Sequence, residues 1–543
     1  MRAATLILLV CASTLFAQEY DDLIEDVAAS SDQESPLPAE WTADSLFEQA
    51  RAVSGSRQRV RFVSSFAWNE RRDLPLGWPG TWARTKLATG LGSRTRSESL
   101  LVRRIDDPRT VDEVHILVSG TYQPADVQFA VGSFQLDWGL GVLNSSSFGA
   151  ARKFAYIANT VASPGSGIIS RTTSREESWL RGAAVSKTSH GFFVALWGNR
   201  RDWNGDVSSE PARLTGVLST SSATALERRD KIEEQSVGGA LKWSRSKSTI
   251  GLLTQANEFE PEVGDTGRRL WSASLTGSTA TGPVSAVAEL ARSGAESAWS
   301  AILSHGTGRL RSAFYAMYAS PEYFAPRSQS PFSFGEEFQN SRIFGLRLAV
   351  NQGRHGISLD TRVNRTPGST STAAPYRKSE DLLVNWLFKA SATVDLNNRA
   401  SFSVRDLGSG QERFSRSFRF EPVWYQSATW SMRAELRNTD YLREPSGDGQ
   451  YLHLQVVKRS GKVRPGARVA FFSLDELDLP MLVYEPTVDG AYPLETLSGS
   501  GSRIAGWCRA QFGKWRAVAK IAQLRRASEQ SLLEFAIGIG YHQ

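Results

Sequence analysis

The feature that most constrains this chain is an alternation of apolar and polar residues at period two. It recurs from Arg57 onward in segments of about ten residues, each punctuated by Gly, Ser, Asn, Asp or Pro. Arg57 to Trp68 places Val60, Phe62, Phe66 and Trp68 on one face and Arg59, Arg61, Val63 and Ser65 on the other. Thr429 to Asn438 sets Trp430, Met432, Ala434 and Leu436 against Ser431, Arg433, Glu435 and Arg437. The last segment sets Leu533, Phe535, Ile537, Ile539 and Tyr541 against Glu534, Ala536, Gly538, Gly540 and His542. One face is greasy, and the other is charged or tiny.

Such segments are longer than the five or six residues usual in a soluble sandwich. They match the ~9 to 11 residues that a tilted strand needs to cross a bilayer. After the N-terminal leader no run approaches the ~20 apolar residues of a spanning helix, and the mean hydropathy is only -0.31. A chain that enters a membrane this way must satisfy every backbone N–H and C=O within the sheet, so the sheet must close. The expected fold is therefore all-β, a large transmembrane antiparallel up-and-down barrel. At about 20 residues per strand plus connection, residues 57–543 predict roughly 24 strands, with about 22 to 26 open.

Connection lengths point the same way. Tight turns are expected at 188–189, 245–247, 306–307, 353–355, 460–461 and 513–514, and long loops at 138–176, 200–235, 319–340, 365–379 and 474–500. Short turns on one rim and long loops on the other are the asymmetry of an outer-membrane barrel. With both termini on the short-turn side, the strand number is even. A barrel this wide cannot fill its lumen from its own strands, so water, a folded-in loop or a partner must occupy it. Residues 144–176 are the candidate inward-folded constriction, with a surface loop as the alternative. Trp68, Trp82, Trp271, Trp424, Trp515 and Tyr541, at segment ends, are expected in interfacial girdles.

Residues 1–17 have the charged, apolar and small-residue order of a secretory signal, with cleavage expected after Ala17 and Ser13 as the alternative. Residues 18–56 form an acidic, then Ser/Pro-rich stretch, expected as a short periplasmic tail with one or two helices. The expected location is the outer membrane of a Gram-negative-type bacterium. Expected partners are outer-membrane lipid and lipopolysaccharide, the barrel-assembly machinery through the C-terminal strand, and a periplasmic partner of the acidic tail at Glu19 to Asp26. No direct nucleic-acid binding is expected.

Chemistry is sparse. Two cysteines are present, and Cys11 falls in the leader; Cys508 is then alone, so neither an intrachain disulfide nor a multi-thiolate metal site forms. Six histidines leave little material for acid–base work, and no cofactor is implied. Glu113 and His115 share one strand face while Asp112 faces away, which reads as a charged rim. Gly139 and Gly141 lack the GK[ST] of a phosphate loop. What remains is a charged lumen: Arg59, Arg61, Arg347, Arg362, Arg419, Glu421, Arg433, Glu435 and Arg437 fall on the non-greasy face. Arginine supplies 51 of the 63 basic residues in a chain of net charge +7. The excess reads equally as coding bias with solvated faces or as an anion-attracting surface. Opposite-charge ladders that stiffen the wall are the alternative to anion selectivity.

Between Asp126 and Glu258 lies an ordered set of motifs. First comes Phe129-Ala-Val-Gly-Ser-Phe-Gln-Leu-Asp-Trp-Gly-Leu-Gly-Val-Leu, then Arg175-Glu-Glu-Ser-Trp-Leu-Arg-Gly-Ala-Ala, then Phe192 to Trp203, then the Ser222 to Leu241 stretch with Glu227 and Arg228 before its Gly-rich strand. This order resembles the barrel part of the helix-hairpin-helix (ComEA-like) outer-membrane proteins of Bacteroidetes and relatives. The resemblance covers about a quarter of the chain. It implies a barrel without assignable chemistry. The tail at 18–56 has no room for the tandem helix-hairpin-helix modules, so no DNA-contacting role carries over. The functions expected are, in order, passage of a hydrophilic solute, a plugged barrel serving as a platform for an export, assembly or DNA-uptake partner, and an outer-membrane hydrolase.

Overall fold

A computed structural model describes residues 60–542 apart from 70–80, 91–93, 104–112, 146–166, 171–178, 215–226, 264–266, 329–340, 368–375, 407–411, 427–429, 442–446, 475–480, 485–493, 498 and 528–530. The leader, the tail at 18–56 with its expected helices, and Arg59 lie outside the described residues. So do the side chains of Trp68 and Trp82, whose backbones are in strands.

Twenty-five strands form one sheet; the three-residue strand Gly167–Ile169 pairs only with the end of Val127–Asp137, and the other 24 make a ring. Every pairing in the ring is antiparallel, and all but the closing one join strands that follow one another round the meander. The ring closes where Val60–Asn69 pairs on one side with Thr81–Gly90 and on the other with Leu532–His542. Strand lengths run from nine residues in Thr95–Arg103 to fourteen in Ile232–Arg245. No free sheet border is left among these strands, so the backbone polar groups of the wall are satisfied by the ladder itself.

Side-chain alternation then sorts the two faces. In Leu532–His542, Leu533, Phe535, Ile537 and Ile539 point outward and exposed, while Ala536 is fully covered inside. In Val60–Asn69, Phe66 is exposed whereas Val63 and Ser65 are buried. The exposed Leu, Ile, Val, Phe and Trp residues around the ring form the apolar outer band that lipid demands. The inward face carries Ser, Thr, Gln, Arg, Glu and small residues.

The rims differ as expected. One rim has tight connections, for example 190–191, 246–247, 282–283 and 513–514; His190 and Gly191 adopt positive φ at 50° and 82° to turn in two residues. The opposite rim carries the long connections 138–178, 204–231, 320–341 and 475–499. The connection expected over 365–379 is shorter. Strands His355–Pro367 and Tyr376–Lys389 run into it, because Arg365, Thr366 and Pro367 still find ladder partners at Lys378, Arg377 and Tyr376.

Aromatic residues gather at the short-turn rim. Trp515 and Tyr541 pack with ring centroids 4.8 Å apart. Phe192 lies 6.4 Å from Trp243, and His355 stacks on Phe388 at 4.8 Å. His355, expected as a turn residue, therefore belongs to this girdle. Trp424 is exposed on the same rim, and Trp271 is exposed near the other. Replacing the outward, mid-strand Leu252 by Arg is expected to cost about 2–4 kcal/mol in folding into lipid vesicles. Denaturant titration in bilayers checks it, and a change below about 0.5 kcal/mol would place Leu252 away from the hydrocarbon.

Candidate functional site

The site is the lumen, and its two sides are built differently. On the side formed by strands from Glu113–Tyr122 round to Arg342–Gln352, an inward-folded segment fills the space. Directly after Val127–Asp137 the chain turns in, so that Trp138, Leu140, Val142 and Leu143 are fully buried against Leu253, Val287, Ala298, Met317 and Tyr323.

The turn is held by a carboxylate. Glu289, on strand Val284–Ser293, accepts hydrogen bonds from the backbone N–H groups of Leu140 (2.5 Å), Val142 (3.1 Å) and Leu143 (3.4 Å) and from the Ser274 hydroxyl (2.7 Å). Successive N–H groups converge because Gly139 and Gly141 take positive φ, 52° and 87°, which makes a concave anion-binding nest. A Cβ at Gly139 would sit 2.3 Å from a Glu289 oxygen. Gly251 supplies the other clearance, since a Cβ there would meet the Trp138 ring at 2.8 Å. The Gly-Leu-Gly motif thus binds an anion, as phosphate loops do, but the anion is the protein's own.

A second set of bonds fixes the far end of the segment. Tyr323 donates to the Val142 carbonyl at 2.9 Å. Burial, with Glu289 nearby, pushes its phenol well above its ordinary value, so it remains a donor across the physiological range. Asn144 donates to Gln255 at 2.8 Å, and the Ser145 N–H to the Arg327 carbonyl at 2.9 Å. Arg327 in turn contacts Glu234 on the wall, which also accepts from Trp203 Nε1 at 2.7 Å and from Asn257 Nδ2 at 2.6 Å. Arg201 completes this cluster, its guanidinium stacked 3.8 Å from the Trp203 ring and 4.2 Å from Trp179. Trp138, Glu289, Tyr323, Glu234 and Arg327 did not emerge from the sequence as site residues. The one signal was a lone acid, Glu289, on an inward face otherwise built of Ser285, Val287, Ala291 and Ser293.

The expected constriction at 144–176 is shifted by this finding. A buried run spans 138–145, Gly167 is buried and Ile168 packs on the same cluster, and 146–166 and 171–178 lie outside the described residues.

The opposite side, from His355–Pro367 to Val463–Leu474, is charged and partly open. Arg347 stands opposite Asp360 and pairs with it at 3.4 Å; Arg362 stands opposite Asp381 and pairs at 2.9 Å. These two are opposite-charge rungs. Further round, Glu421 contacts Arg419 and accepts from Arg433 at 3.2 Å, while Glu435 binds Arg419 at 3.1 Å and Arg437 at 2.7 Å. Arg61 faces inward near the seam, partly buried. Arg468 donates to Gln455 at 2.9 Å. The expected lumen charges with described side chains therefore face inward, in separate groups along the wall.

His115 is buried between Glu113 (3.1 Å) and Ser133 (3.3 Å), edge-on to Trp179 at 4.9 Å. The spacing echoes a nucleophile–base–acid relay. However, His115 and Ser133 are only 1% and 2% exposed, and the trio pins neighbouring strands instead of facing a cleft.

Beyond the ring, Asp206 accepts from the Ser208 N–H at 3.0 Å and hydroxyl at 2.6 Å and contacts Arg228. The Ser208 bonds lead in holding its carboxyl below the usual range. A depressed carboxylate stabilises above its unfolded value, near 4, and loses that contribution as pH falls through the lower folded one. The protection of the Ser208 amide, measured against its intrinsic exchange rate at each pH, should fall in that acidic window.

No family model matches this chain, and no curated protein matches it. Among solved structures it is similar to the P pilus usher (PapC) translocation pore at 11% identity, covering 89% of this chain and 99% of that one with a TM-score of 0.39. It is similar to the copper transporter OprC at 8% identity, covering 90% and 81%, TM-score 0.44. It is similar to an anion-selective porin from Comamonas acidovorans at 11%, covering 65% and 100%, TM-score 0.29. The chain is an outer-membrane-type barrel. That conclusion rests on the closed ladder and its apolar exterior; likeness at these scores says nothing about solute.

Replacing Glu289 by Ala leaves three buried N–H groups without their acceptor, at about 1–3 kcal/mol each before relaxation. The expected result is a barrel that still closes but whose 138–145 segment becomes sensitive to added protease. Protection equal to the parent's would show that the carboxylate does not hold the segment.

Proposed function

We propose that this protein passes a hydrophilic solute across the outer membrane through the charged half of its lumen, without covalent chemistry. One observation carries the reading: an inward segment fills one side, whereas the wall from strand His355–Pro367 to Val463–Leu474 presents partly exposed Asp360, Arg362, Arg399, Arg419, Arg433 and Arg437 to the interior, with Asp381, Glu421 and Glu435 buried among them. A barrel built only as an anchor has no need of partly exposed charges on its inner wall. Because the arginines outnumber the acids in the middle of that wall, anions are the favoured solutes.

Purified protein reconstituted in planar bilayers tests this. Discrete conductance steps are expected, with a reversal potential under a potassium chloride gradient that reports anion preference. Cation preference would remove the charge argument, and silence over a wide voltage range would remove passage itself.

The second reading, a plugged platform for an export, assembly or DNA-uptake partner, draws on the same inward segment. It gains from the hairpin Met481–Tyr484 and Leu494–Leu497, whose Val483 and Leu497 pack on Tyr451, Phe472 and Leu524. If Glu289→Ala opens conductance that the parent lacks, the segment is a plug and the platform reading takes precedence. We further propose that the last strand, with its outward aliphatics and Tyr541, serves as the signal for barrel insertion, and that the helix-hairpin-helix barrel resemblance reflects kinship.

A further inference from the structure

Elsewhere in the charged wall, register sets opposite charges face to face, Arg347 with Asp360 and Arg362 with Asp381. On the next strands it does the reverse. Arg399 on Val394–Asp406 stands opposite Arg419 on Glu412–Tyr425, which stands opposite Arg437 on Trp430–Tyr441. Three guanidiniums therefore leave the wall from consecutive rungs, with side-chain bases about 5 Å apart. Like charges in that relation destabilise a sheet unless something lies between them.

Part of the repulsion is met from within. Glu435 binds Arg419 and Arg437, and Glu421 binds Arg419 and Arg433. Arg399 makes no ion pair or hydrogen bond with any described residue, and it is partly exposed to the interior. Its other neighbour in register is Asn385, a neutral side chain that donates to Ser358. The row thus ends in a guanidinium whose donors are uncommitted among the described residues, backed by two more that share their carboxylates. Arg433 shares Glu421 with Arg419, so three arginines, Arg419, Arg433 and Arg437, divide two glutamates between them.

We propose that Arg399, Arg419 and Arg437 form a lumen binding site for a tetrahedral oxyanion, a phosphate-type group either free or carried by a small solute. Three points support that class over a simple halide. A guanidinium offers paired N–H donors that match two oxygens of one oxyanion. Rungs about 5 Å apart let one tetrahedral group bridge neighbouring guanidiniums, which a spherical ion does with single contacts only. Arg399, Arg419 and Arg437 are partly exposed among the described residues, so a group bound there can leave again, as transit requires. The proposal deepens the passage reading and rests on it for the solute's access to the lumen.

The test is calorimetric titration of the full-length protein in detergent micelles, in a buffer free of other oxyanions, with inorganic phosphate and separately with glucose 6-phosphate. Saturable binding is expected. Arg399→Gln should weaken it about tenfold or more, and Arg399→Lys less, because charge is kept while the paired donors are lost. Glu435→Gln should tighten binding by freeing Arg419 and Arg437. Arg347→Gln, at a neutralised rung elsewhere, should leave it unchanged. Stronger binding of glucose 6-phosphate identifies the group as solute-borne, and equal binding identifies the free ion; either supports the site. Absence of saturable binding, an unchanged affinity in Arg399→Gln, or equal weakening in Arg347→Gln overturns it. Binding needs no open pore, so phosphate affinity without conductance would sink passage and keep the site, and conductance without affinity would do the opposite.

Discussion

The whole architecture depends on the hydrogen-bonding demand of the backbone in hydrocarbon. A peptide group that faces lipid without a partner costs several kcal/mol, and a wall of 24 strands contains hundreds of such groups. Joining the strand that begins at Val60 to the one that ends at His542 removes both borders at once. Period-two geometry then leaves no freedom in how side chains divide. Outward positions have to be apolar, and everything polar has to go inside. The charged lumen is in this sense a consequence of closure as much as a functional feature.

A ring this wide creates its own problem, because side chains from the wall cannot meet across it. Among the described residues the answer differs from side to side, with the short hairpin of Met481–Tyr484 and Leu494–Leu497 packed on Tyr451, Phe472 and Leu524. A segment of eight residues, 138–145, turns inward and brings apolar side chains to a wall of small residues, with its exposed N–H groups gathered onto Glu289. The same need that closes the ladder governs the segment: backbone donors carried into the interior must find acceptors. Tyr323, Asn144 and the Arg327–Glu234 contact tie down the rest. The opposite wall meets its burden electrostatically, by opposite-charge rungs at Arg347 and Arg362 and by carboxylates shared among Arg419, Arg433 and Arg437. At Arg399, among the described residues, no carboxylate of the wall forms an ion pair with the guanidinium.

Much of this was legible in the amino-acid sequence. Alternation named the outward residues of the first and last strands, Gly- and Ser-bearing breaks located the tight turns at 246–247 and 513–514, and residues per repeat arrived at the strand number. The inward set of Arg347, Arg362, Arg419, Glu421, Arg433, Glu435 and Arg437 followed from the same parity. The partners did not. Glu289 is 149 positions from Leu140, and nothing in either neighbourhood announces the other. Arg347 and Arg362 read as free positive charge because each acid opposite lies on the following strand, at a position that only register reveals.

What the sequence by itself determined is therefore the wall: parity of side chains, strand length, closure and the sidedness of the loops are local or additive properties, each set by residues within one or two strands. What the tertiary structure decided is the interior. Which charges cancel, which are left over, and which loop folds inward depend on contacts between residues brought together only when the ring closes, and those contacts carry no periodic trace along the chain.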